Sequence, residues 1–459
     1  MQDSESPKVD REANRLSARA ARYARVGRDV GGIAAKLAGA RALGLTTDRE
    51  QNAGDLMRAL GGLKGPLMKV AQLLSTIPDA LPPEYATELQ KLQAEAPPMG
   101  AAFVKRRMMS ELGPDWAGRF ASFDLKPAAA ASLGQVHRAT AHDGTALACK
   151  LQYPDMQSAV EADLVQLGLV MKLQRRFNPS IDTREIATEI GARLREELDY
   201  RREAKHAALY RLMLADVPDV RVPRVHADLS TGRLLTLDWL QGERLLDFRH
   251  ASLETRNRLA RVMFGAWWHP FSHYGVIHGD PHLGNYTVFR GGADNDAQGI
   301  NLLDYGCIRI FPPAFVGGVV DLYRGLLEGD EARVVQAYET WGFRGLTREL
   351  ISVLNMWARF IYGPLLDDRV RTIADGVAPG EYGRREAWRV KQALKEKGPV
   401  RIPREFVFMD RAAIGLGAVF LHLKAELNFH RLFEAEIEGF DLGVVQDRQA
   451  KVLAESGLA

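Results

Sequence analysis

The sequence has little cysteine, with only Cys149 and Cys307 among its 459 residues. Two cysteines cannot form a disulfide framework or a cysteine-rich zinc site, and they fit a reducing compartment best. We expect both to be small strand or loop residues rather than reactive thiols. Net charge is also small, because 61 Lys and Arg residues face 58 Asp and Glu residues and leave +3. Such a balance does not indicate nucleic acid as a partner.

Long hydrophobic runs are missing as well. The longest candidate, at residues 412–423, falls short of the roughly 20 apolar residues that span a bilayer. We interpret it as a buried helix. The N-terminus lacks the basic start and the apolar centre of a secretory signal. The sequence therefore predicts a cytoplasmic protein without a transmembrane helix.

A basic arm at residues 1–30 is the first feature that is present. Its arginines recur at three- and four-residue steps, so they would share one side of a helix. A solvated arm, a cationic helix on an anionic membrane and an arginine-rich transit peptide are all open interpretations, although acidic residues weaken the last one. The arginines are Arg11, Arg15, Arg19, Arg22 and Arg25.

Three further regions follow the arm. Residues 31–115 form a predicted helical extension, since leucines between positions 54 and 77 recur with an approximate 3.6-residue period. Residues 116–240 mix strand and helix patterns, and residues 241–459 are mainly helical in pattern. With 459 residues the chain can hold two or three domains with sizeable cores. We predict an α+β fold with these boundaries.

The mixed region has the element order of a kinase N-lobe. Two strand patterns flank a His142-Asp143-Gly144 turn, and a long helical stretch follows them. Strand patterns then recur at residues 221–223 and 233–237, which predicts a second hairpin. Hairpin, helix and hairpin in that order predict a two-lobe, protein-kinase-like fold.

The strongest chemical signal lies at residues 278–285 and 302–306. Asp280 and Asn285 stand five positions apart, as in the protein-kinase pattern H-R-D-x-x-x-x-N, and Asp304-Tyr305-Gly306 takes the place of D-F-G. Carboxylate and amide oxygens are the ligands that Mg²⁺ prefers. We therefore predict that Asn285 and Asp304 bind Mg²⁺ on the phosphates of ATP or ADP. Asp280 is the predicted catalytic base or metal-positioning carboxylate.

Lys150 ends an apolar strand pattern, as does the lysine of V-A-I-K in kinases. We predict that it contacts the α- and β-phosphates and that Glu203, on a later helix, holds its ammonium in place. An exposed lysine and an ordinary charged helix face are the alternatives. The order of these residues before Asp280 and Asp304 favours the catalytic interpretation.

The glycine-rich loop of protein kinases is absent, and so is a Walker A motif. Alanines occupy the expected place, and an alanine Cβ prevents the close backbone approach that glycine allows. The nucleotide should therefore bind in a different position or with altered preference. The residues assigned to nucleotide contact, besides Lys150, are Ala129, Ala130, Ala131, Ser132, Trp239 and Leu240.

These segments resemble the UbiB family of atypical kinases, also called the AarF or ADCK family. Residues 129–137 resemble its alanine-rich loop, 69–72 its K-x-G-Q signature, 197–199 its E-x-D element, and 278–285 its H-x-D-P-H-P-G-N loop. The resemblance covers about Gly54 to Gly306. Two positions depart from the family, since Ala71 replaces the signature glycine and Leu283 the usual proline.

The resemblance implies a kinase-like fold with an all-helical N-terminal extension. In the family, the K-x-G-Q helix folds over the site where a peptide would dock. Lys69 would then reach Glu197, Gln72 would lie near the nucleotide, and Asp199 would belong to the same gating group. The family also implies ATP hydrolysis and a role in ubiquinone biosynthesis. The expected partners are an adenine nucleotide, a quinone-like lipid or the inner face of a membrane, and ubiquinone-biosynthesis proteins.

Several alternatives stay open at this point. His278 and His282, with His269 and His273 nearby, allow a transition-metal site, although the aromatic neighbours of the second pair favour packed helix residues. The function is a Mg²⁺-dependent ATPase or small-molecule kinase, a nucleotide-sensing pseudokinase, or a protein kinase. A protein kinase is disfavoured because the A-P-E motif is missing and because prolines follow soon after Gly306, which leaves no room for a long activation loop.

Overall fold

A computed structural model of the chain describes residues 99–131, 133–154, 156–161, 164, 191–291, 296–375 and 403–459. The basic arm and the extension up to residue 98 lie outside the described residues, and with them Lys69 and Gln72. Ser132 lies outside them too. The chain divides into two compact units, Met1–Glu203 with His226–Asp238 and Ala204–Val225 with Trp239–Ala459. The boundaries at residues 30, 115 and 240 stay predictions.

The described part of the chain contains mainly antiparallel sheets and a long run of helices after the last strand, so the fold is α+β as predicted. The helices are α1 (Ala101–Leu112), α2 (Tyr200–Met213), α3 (Leu253–Tyr274), α4 (Pro313–Glu328), α5 (Glu331–Thr340), α6 (Arg348–Tyr362), α7 (Arg404–Leu423), α8 (Phe429–Glu436) and α9 (Leu442–Glu455). The strands are β1 (Ser122–Ala131), β2 (Gly134–Thr140), β3 (Ala146–Gln152), β4 (Val220–Arg221), β5 (Leu234–Asp238), β6 (Glu243–Arg244), β7 (Val276–His278), β8 (Tyr286–Gly291), β9 (Asp296–Leu302) and β10 (Ile308–Ile310).

The first unit is built on an antiparallel sheet with the strand order β1-β2-β3-β5. Alternation along β3 places Leu147, Cys149 and Leu151 on one buried face. Side chains of α1 and the 3-10 turn after it complete this core. Lys150 therefore points to the opposite face of the sheet, where a polar group is not buried in the core.

The turn between β2 and β3 confirms the hairpin predicted at His142-Asp143-Gly144. Gly144 has a φ of +85°, a left-handed conformation that glycine adopts without strain. The Asp143 carboxylate accepts a hydrogen bond from the Thr145 N–H at 2.9 Å. Both residues thus act through local turn chemistry, which fixes the register that opposes Val136 to Lys150.

The second unit holds a sheet with the order β4-β9-β8-β6 and a two-stranded ladder of β7 and β10. Helices α3 to α9 surround one large hydrophobic core in this unit. Helix α3 lies at the centre, and it buries Trp267, Phe264 and Phe271 among others. The apolar run at residues 412–423 belongs to α7, so the predicted helix is confirmed; it buries one face, with Leu416 and Phe420, and exposes Ile414 on the other.

The predicted second hairpin is wrong. β4 does not pair with β5; it pairs in parallel with β9, with Val220 opposite Ile300. β5 joins β3 in the first unit. A strand of two residues carries almost no sequence signal, and its partner lies about eighty positions later in the chain.

Among the described residues, no helix has both the length and the hydropathy needed to cross a membrane.

Candidate functional site

Lys150 and Glu203 form an ion pair in the first unit. The Lys150 Nζ lies 2.6 Å from Glu203 Oε1, and 53 residues separate the two in sequence. The Glu203 side chain is 2% exposed and that of Lys150 16%. A buried carboxylate needs such a cation, because loss of one partner leaves an uncompensated charge. The structure brings these two predicted residues together.

Tyr200 and Gly134 shape the surroundings of this pair. The Lys150 Nζ stands 5.3 Å from the centre of the Tyr200 ring, a cation–π distance. At Gly134, a Cβ would lie 2.3 Å from the Leu151 carbonyl oxygen and 3.1 Å from the Tyr200 hydroxyl. Only glycine fits there. The close approach holds the β2–β3 hairpin beside Lys150.

The alanine-rich segment is the end of a strand rather than an open loop. Ala129, Ala130 and Ala131 close β1 and pair with Val136, Gln135 and Gly134 of β2. Ala129 and Ala130 are exposed, and Ala131 is half-buried. The hairpin therefore presents alanine methyl groups at the place where protein kinases have the glycine-rich loop. Their contact with a nucleotide stays a prediction.

Two polar residues on β2, which sequence reasoning did not single out, attach the start of α1 to the sheet. The Met99 N–H donates to Gln135 Oε1 at 2.7 Å. Gln135 Nε2 lies 2.9 Å from His137 Nε2, and His137 Nδ1 lies 2.8 Å from the Asp124 carbonyl oxygen. Burial lowers the pKa of His137. A neutral ring that donates from Nδ1 satisfies both contacts.

The predicted gating residues Glu197 and Asp199 lie just before α2. The Asp199 carboxylate accepts a hydrogen bond from the Arg202 N–H at 3.1 Å, which caps the first turn of the helix. Glu197 is half-buried in the preceding segment. Their predicted partners Lys69 and Gln72 lie outside the described residues, so the gating group stays a prediction.

His278 links the two acidic segments of the second unit. Its Nδ1 accepts from the Asp280 N–H at 3.2 Å, and its Nε2 donates to the Asp304 carbonyl oxygen at 2.7 Å. His278 is 1% exposed, and its backbone carbonyl oxygen accepts a hydrogen bond from Trp267 Nε1 at 3.1 Å. Since both ring nitrogens serve the backbone, His278 is not a metal ligand. It is a positioning residue, and its two-sided role was not apparent from the sequence.

Asp280 and Asn285 are joined across their loop. Asn285 Nδ2 donates to the Asp280 carbonyl oxygen at 3.0 Å, which directs the amide oxygen of Asn285 away from that bond. The Leu303 N–H donates to the Asn285 carbonyl oxygen at 3.0 Å, which ties this loop to the residue before Asp304. Burial, and then the charge of Asp280, raises the pKa of Tyr286 well above its usual range; Asp304 adds to the effect.

Asp304 is set by the turn that follows β9. Its Oδ1 accepts from the Gly306 N–H at 2.9 Å. Tyr305 is completely buried; its hydroxyl donates to the Leu302 carbonyl oxygen at 2.8 Å, and its ring lies 5.7 Å from that of Tyr210. The buried Tyr305 fixes the backbone of the triplet, and the Gly306 N–H holds the half-buried Asp304 carboxylate.

The donor set of this loop pair fits Mg²⁺. Asp280, Asn285 and Asp304 are half-buried and offer carboxylate and amide oxygens, the hard ligands that Mg²⁺ takes. Two carboxylates and an amide do not complete an octahedral shell. Phosphate oxygens and water supply the remaining ligands in sites of this type.

The predicted connector residues Trp239 and Leu240 follow β5 and are half-buried. Asn301, which sequence reasoning missed, holds the segment after them. Its Nδ2 donates to the Gln241 carbonyl oxygen at 3.1 Å, and a Cβ on Gly242 would lie 2.7 Å from that nitrogen. Asn301 is fully buried on β9. A buried asparagine in an apolar strand pattern was the signal that could have revealed this role.

His269 and His273 are half-buried on α3, with stacked rings whose centres are 4.2 Å apart. Burial, and then the neighbouring His269, lowers the pKa of His273, while Glu436 opposes the shift.

Cys149 is fully buried, and burial raises the pKa of its thiol to about 12. That thiol is inert, as predicted.

The chain matches the model of the ABC1 atypical kinase-like domain over residues 91–338. It is 28% identical over 316 residues to the protein called atypical kinase COQ8B, mitochondrial, of Rattus norvegicus, an alignment that covers 67% of this chain and 59% of the relative. It is 31% identical over 389 residues to the chloroplastic Protein ACTIVITY OF BC1 COMPLEX KINASE 7 of Arabidopsis thaliana, with 83% and 53% covered. The chain thus spans little more than half of these curated relatives.

A solved structure of Rv3197 from Mycobacterium tuberculosis, described as a complex with erythromycin, has a similar fold. The TM-score is 0.61 at 27% sequence identity, over 85% of this chain and 97% of the other. This likeness, together with the domain match, confirms the predicted kinase-like fold.

Proposed function

The chain belongs to the ABC1 atypical kinase-like family, the UbiB or AarF group that its motifs resemble, and on that basis we propose that it is a Mg²⁺-dependent ATPase or small-molecule kinase. We propose further that it supports ubiquinone biosynthesis at a membrane. The chemistry is transfer of the terminal phosphate of ATP to water or to a small acceptor.

The observation that carries this proposal is the Lys150–Glu203 ion pair at 2.6 Å. A strand lysine and a helix glutamate must pair in this way for the ammonium to bind the α- and β-phosphates. Asp304 and Asn285 would bind Mg²⁺ when it is present, and the metal would neutralise charge on the phosphates. Asp280 accepts the proton of the attacking hydroxyl or water. The proposal requires all of these groups to act on one nucleotide.

The part of the chain between Gly306 and α4 argues against a peptide substrate. β10 begins at Ile308, two residues after the Asp304 triplet, and pairs with β7. Pro312 then caps α4. Every residue here is described, and no long activation segment fits between them. Transfer to other proteins is therefore not the activity we propose.

Nucleotide binding tests the metal assignment. We expect the full chain to bind ATP or ADP more tightly with Mg²⁺ than with EDTA, measured by isothermal titration calorimetry. Asp304→Asn should remove this Mg²⁺ dependence, because an amide oxygen is a weaker ligand than a carboxylate. Asp296→Asn, an exposed residue at the start of β9, is the matched control and should behave as wild type. Unchanged Mg²⁺ dependence in Asp304→Asn would refute the assignment.

Turnover separates the enzyme from the second candidate, a nucleotide-sensing pseudokinase. Phosphate release should be measured with ATP, Mg²⁺, and liposomes or a quinone-like phenol. If the chain is an enzyme, Asp280→Asn abolishes the release while nucleotide binding persists. A wild-type chain that binds Mg²⁺-nucleotide but releases no phosphate under any of these conditions favours the pseudokinase. The charged groups needed for chemistry are all present, so we rank turnover first.

The membrane role rests on the family resemblance and on the basic arm. We propose a peripheral position on the inner face of a membrane, with a quinone-like lipid and ubiquinone-biosynthesis proteins as partners. Clustered arginines are attracted to anionic lipids, and salt screens that attraction. The arm lies outside the described residues, so its sequence alone supports this part.

A further inference from the structure

A cluster of two histidines and a glutamate lies on α3 and α8 in the second unit, apart from the kinase-like motifs. His269 and His273 stand one helical turn apart on α3, and Glu436 is the last residue of α8. One ring nitrogen from each histidine and a Glu436 oxygen all lie within 4.8 Å of one another. Among the described residues, no other three His, Cys, Asp or Glu side chains gather in this way.

The Glu436 carboxylate is close to both rings without a hydrogen bond to either. Its Oε2 lies 3.6 Å from His269 Nδ1 and 3.9 Å from His273 Nδ1. Those distances exceed the length of a normal N–H···O hydrogen bond. Tetrahedral zinc with bonds of about 2.0–2.1 Å holds its nitrogen and oxygen ligands about 3.4 Å apart. His269 Nδ1 and Glu436 Oε2, at 3.6 Å, are already close to that spacing.

Neighbouring hydrogen bonds fix the proton of His273. Ser272 Oγ donates its only proton to the Trp268 carbonyl oxygen at 2.8 Å. It also lies 2.9 Å from His273 Nδ1, and the His269 carbonyl oxygen lies 3.2 Å from the same nitrogen. His273 must therefore donate from Nδ1, which leaves the Nε2 lone pair to bind a cation. Metal-binding histidines commonly have such a partner on the other ring nitrogen.

The cluster is accessible from solvent. The side chains of His269 and His273 are each 27% exposed, and that of Glu436 is 19% exposed. A cation can reach them without opening the core. Stacked imidazole rings repel each other when both are charged, so the pair favours a neutral form that can act as ligand.

We propose that His269, His273 and Glu436 form a binding site for a divalent transition metal of the Zn²⁺ type. Two imidazoles and one carboxylate are a donor set that zinc accepts, with water in the fourth position. Bound metal would link α3 to α8. The site is separate from the proposed nucleotide chemistry, which takes the harder Mg²⁺.

Equilibrium dialysis of the full chain against Zn²⁺, with excess Mg²⁺ present, tests the proposal. Wild type should bind one Zn²⁺ more than His269→Ala or Glu436→Gln does. Alternatively, the affinity of that site should fall by at least the roughly tenfold that loss of even an outer partner costs. Co²⁺ in place of Zn²⁺ should give visible absorption bands of a four- or five-coordinate site in wild type and lose them in both variants.

His422→Ala is the matched control, because His422 is an exposed histidine on α7 of the same unit. It should retain full Zn²⁺ binding and the Co²⁺ bands. Circular dichroism checks that each variant is folded, and Glu436→Gln preserves side-chain shape if His269→Ala does not fold. Equal stoichiometry and affinity for Zn²⁺ in wild type and Glu436→Gln would overturn the proposal, as would a wild type that binds no Zn²⁺.

The result is independent of the proposed function. Asp304→Asn should keep the Zn²⁺ site and lose the Mg²⁺ dependence of nucleotide binding. His269→Ala should do the reverse. Loss of Zn²⁺ binding in Asp304→Asn would place the ion in the loop of the kinase-like motifs and would contradict the assignment to α3 and α8.

Discussion

At the scale of single residues, His278 explains why the two acidic loops of the second unit stay together. One ring holds the backbone of Asp280 and that of Asp304, 24 residues apart in the chain. Its first partner lies two residues away and its second 26 away. The motif predicted the acidic residues themselves. The bridge between them depends on the tertiary fold, which local pattern does not contain.

We predict that His278→Ala destabilises the protein and weakens Mg²⁺-nucleotide binding. The variant leaves a half-buried N–H and a half-buried carbonyl without their His278 partner, at a cost of up to about 1–3 kcal/mol for each. Urea unfolding gives the loss of stability, and calorimetry gives the nucleotide affinity. His282→Ala, an exposed histidine in the same loop, is the control and should have a smaller effect. Wild-type affinity in a folded His278→Ala chain would contradict the role of the bridge.

His137 makes stability depend on pH in a known direction. Burial lowers its pKa from the ordinary value of 6.5, so the folded chain binds this proton less readily than the unfolded chain does. Its contribution is complete above pH 6.5 and is lost as pH falls toward the folded-state pKa. One proton gives a slope of at most about 1.4 kcal/mol per pH unit.

His137→Gln should reduce this slope, because an amide can replace the hydrogen bonds without titrating. Urea unfolding at pH 7.5 and at lower pH measures the difference between variant and wild type. His273, whose pKa is also lowered, is common to both chains and cancels. Equal slopes below pH 6.5 would show that His137 does not carry the effect.

At the scale of elements, sequence reasoning succeeded where the signal was local. The β2–β3 hairpin was predicted because apolar alternation surrounds an Asp-Gly turn, and both parts of that signal lie within twenty residues. β4 was misassigned because its partner β9 is distant and because a parallel pair has no turn to mark it. Lys150 was predicted from its position at the end of an apolar strand pattern. Side chains alternate between the two faces of a strand, so Lys150 points away from the core.

Gly134→Ala tests the close approach that holds this hairpin. A methyl group would lie 2.3 Å from the Leu151 carbonyl oxygen, which is backbone and cannot rotate away. We expect a loss of stability of about 1–3 kcal/mol, typical of overpacking, with reduced nucleotide affinity. Gly118→Ala, where nothing lies within 4 Å, should be close to wild type in both measurements. Equal unfolding midpoints for the two variants would show that the hairpin tolerates the shift.

At the scale of the whole molecule, the kinase-like fold was predictable because five polar residues occur in the order of a known active site. The gating group is a prediction from the family resemblance alone, since Lys69 and Gln72 lie outside the described residues. Sequence analysis left a transition-metal site near His269 and His273 open, but it gave no sign of Glu436. This glutamate lies more than 160 positions after the histidines, and the aromatic neighbours favoured simple packing.

Deletion of residues 1–30 tests the proposed membrane anchor. The full chain should sediment with anionic liposomes at low salt and be released at high salt, because ions screen the attraction. The truncated chain should remain in the supernatant at both salt concentrations. Neutral liposomes are the control. Equal sedimentation of the two chains would exclude the arm as the anchor.

The most direct test of the central claim is an experimental structure of the full chain with ADP or ATP and Mg²⁺. We predict one metal ion bound by Asp304 and Asn285 at about 2.0–2.1 Å, with Lys150 on the phosphates of the same nucleotide. Density for a nucleotide whose metal lacks Asp304, or whose phosphates lie away from Lys150, would contradict it.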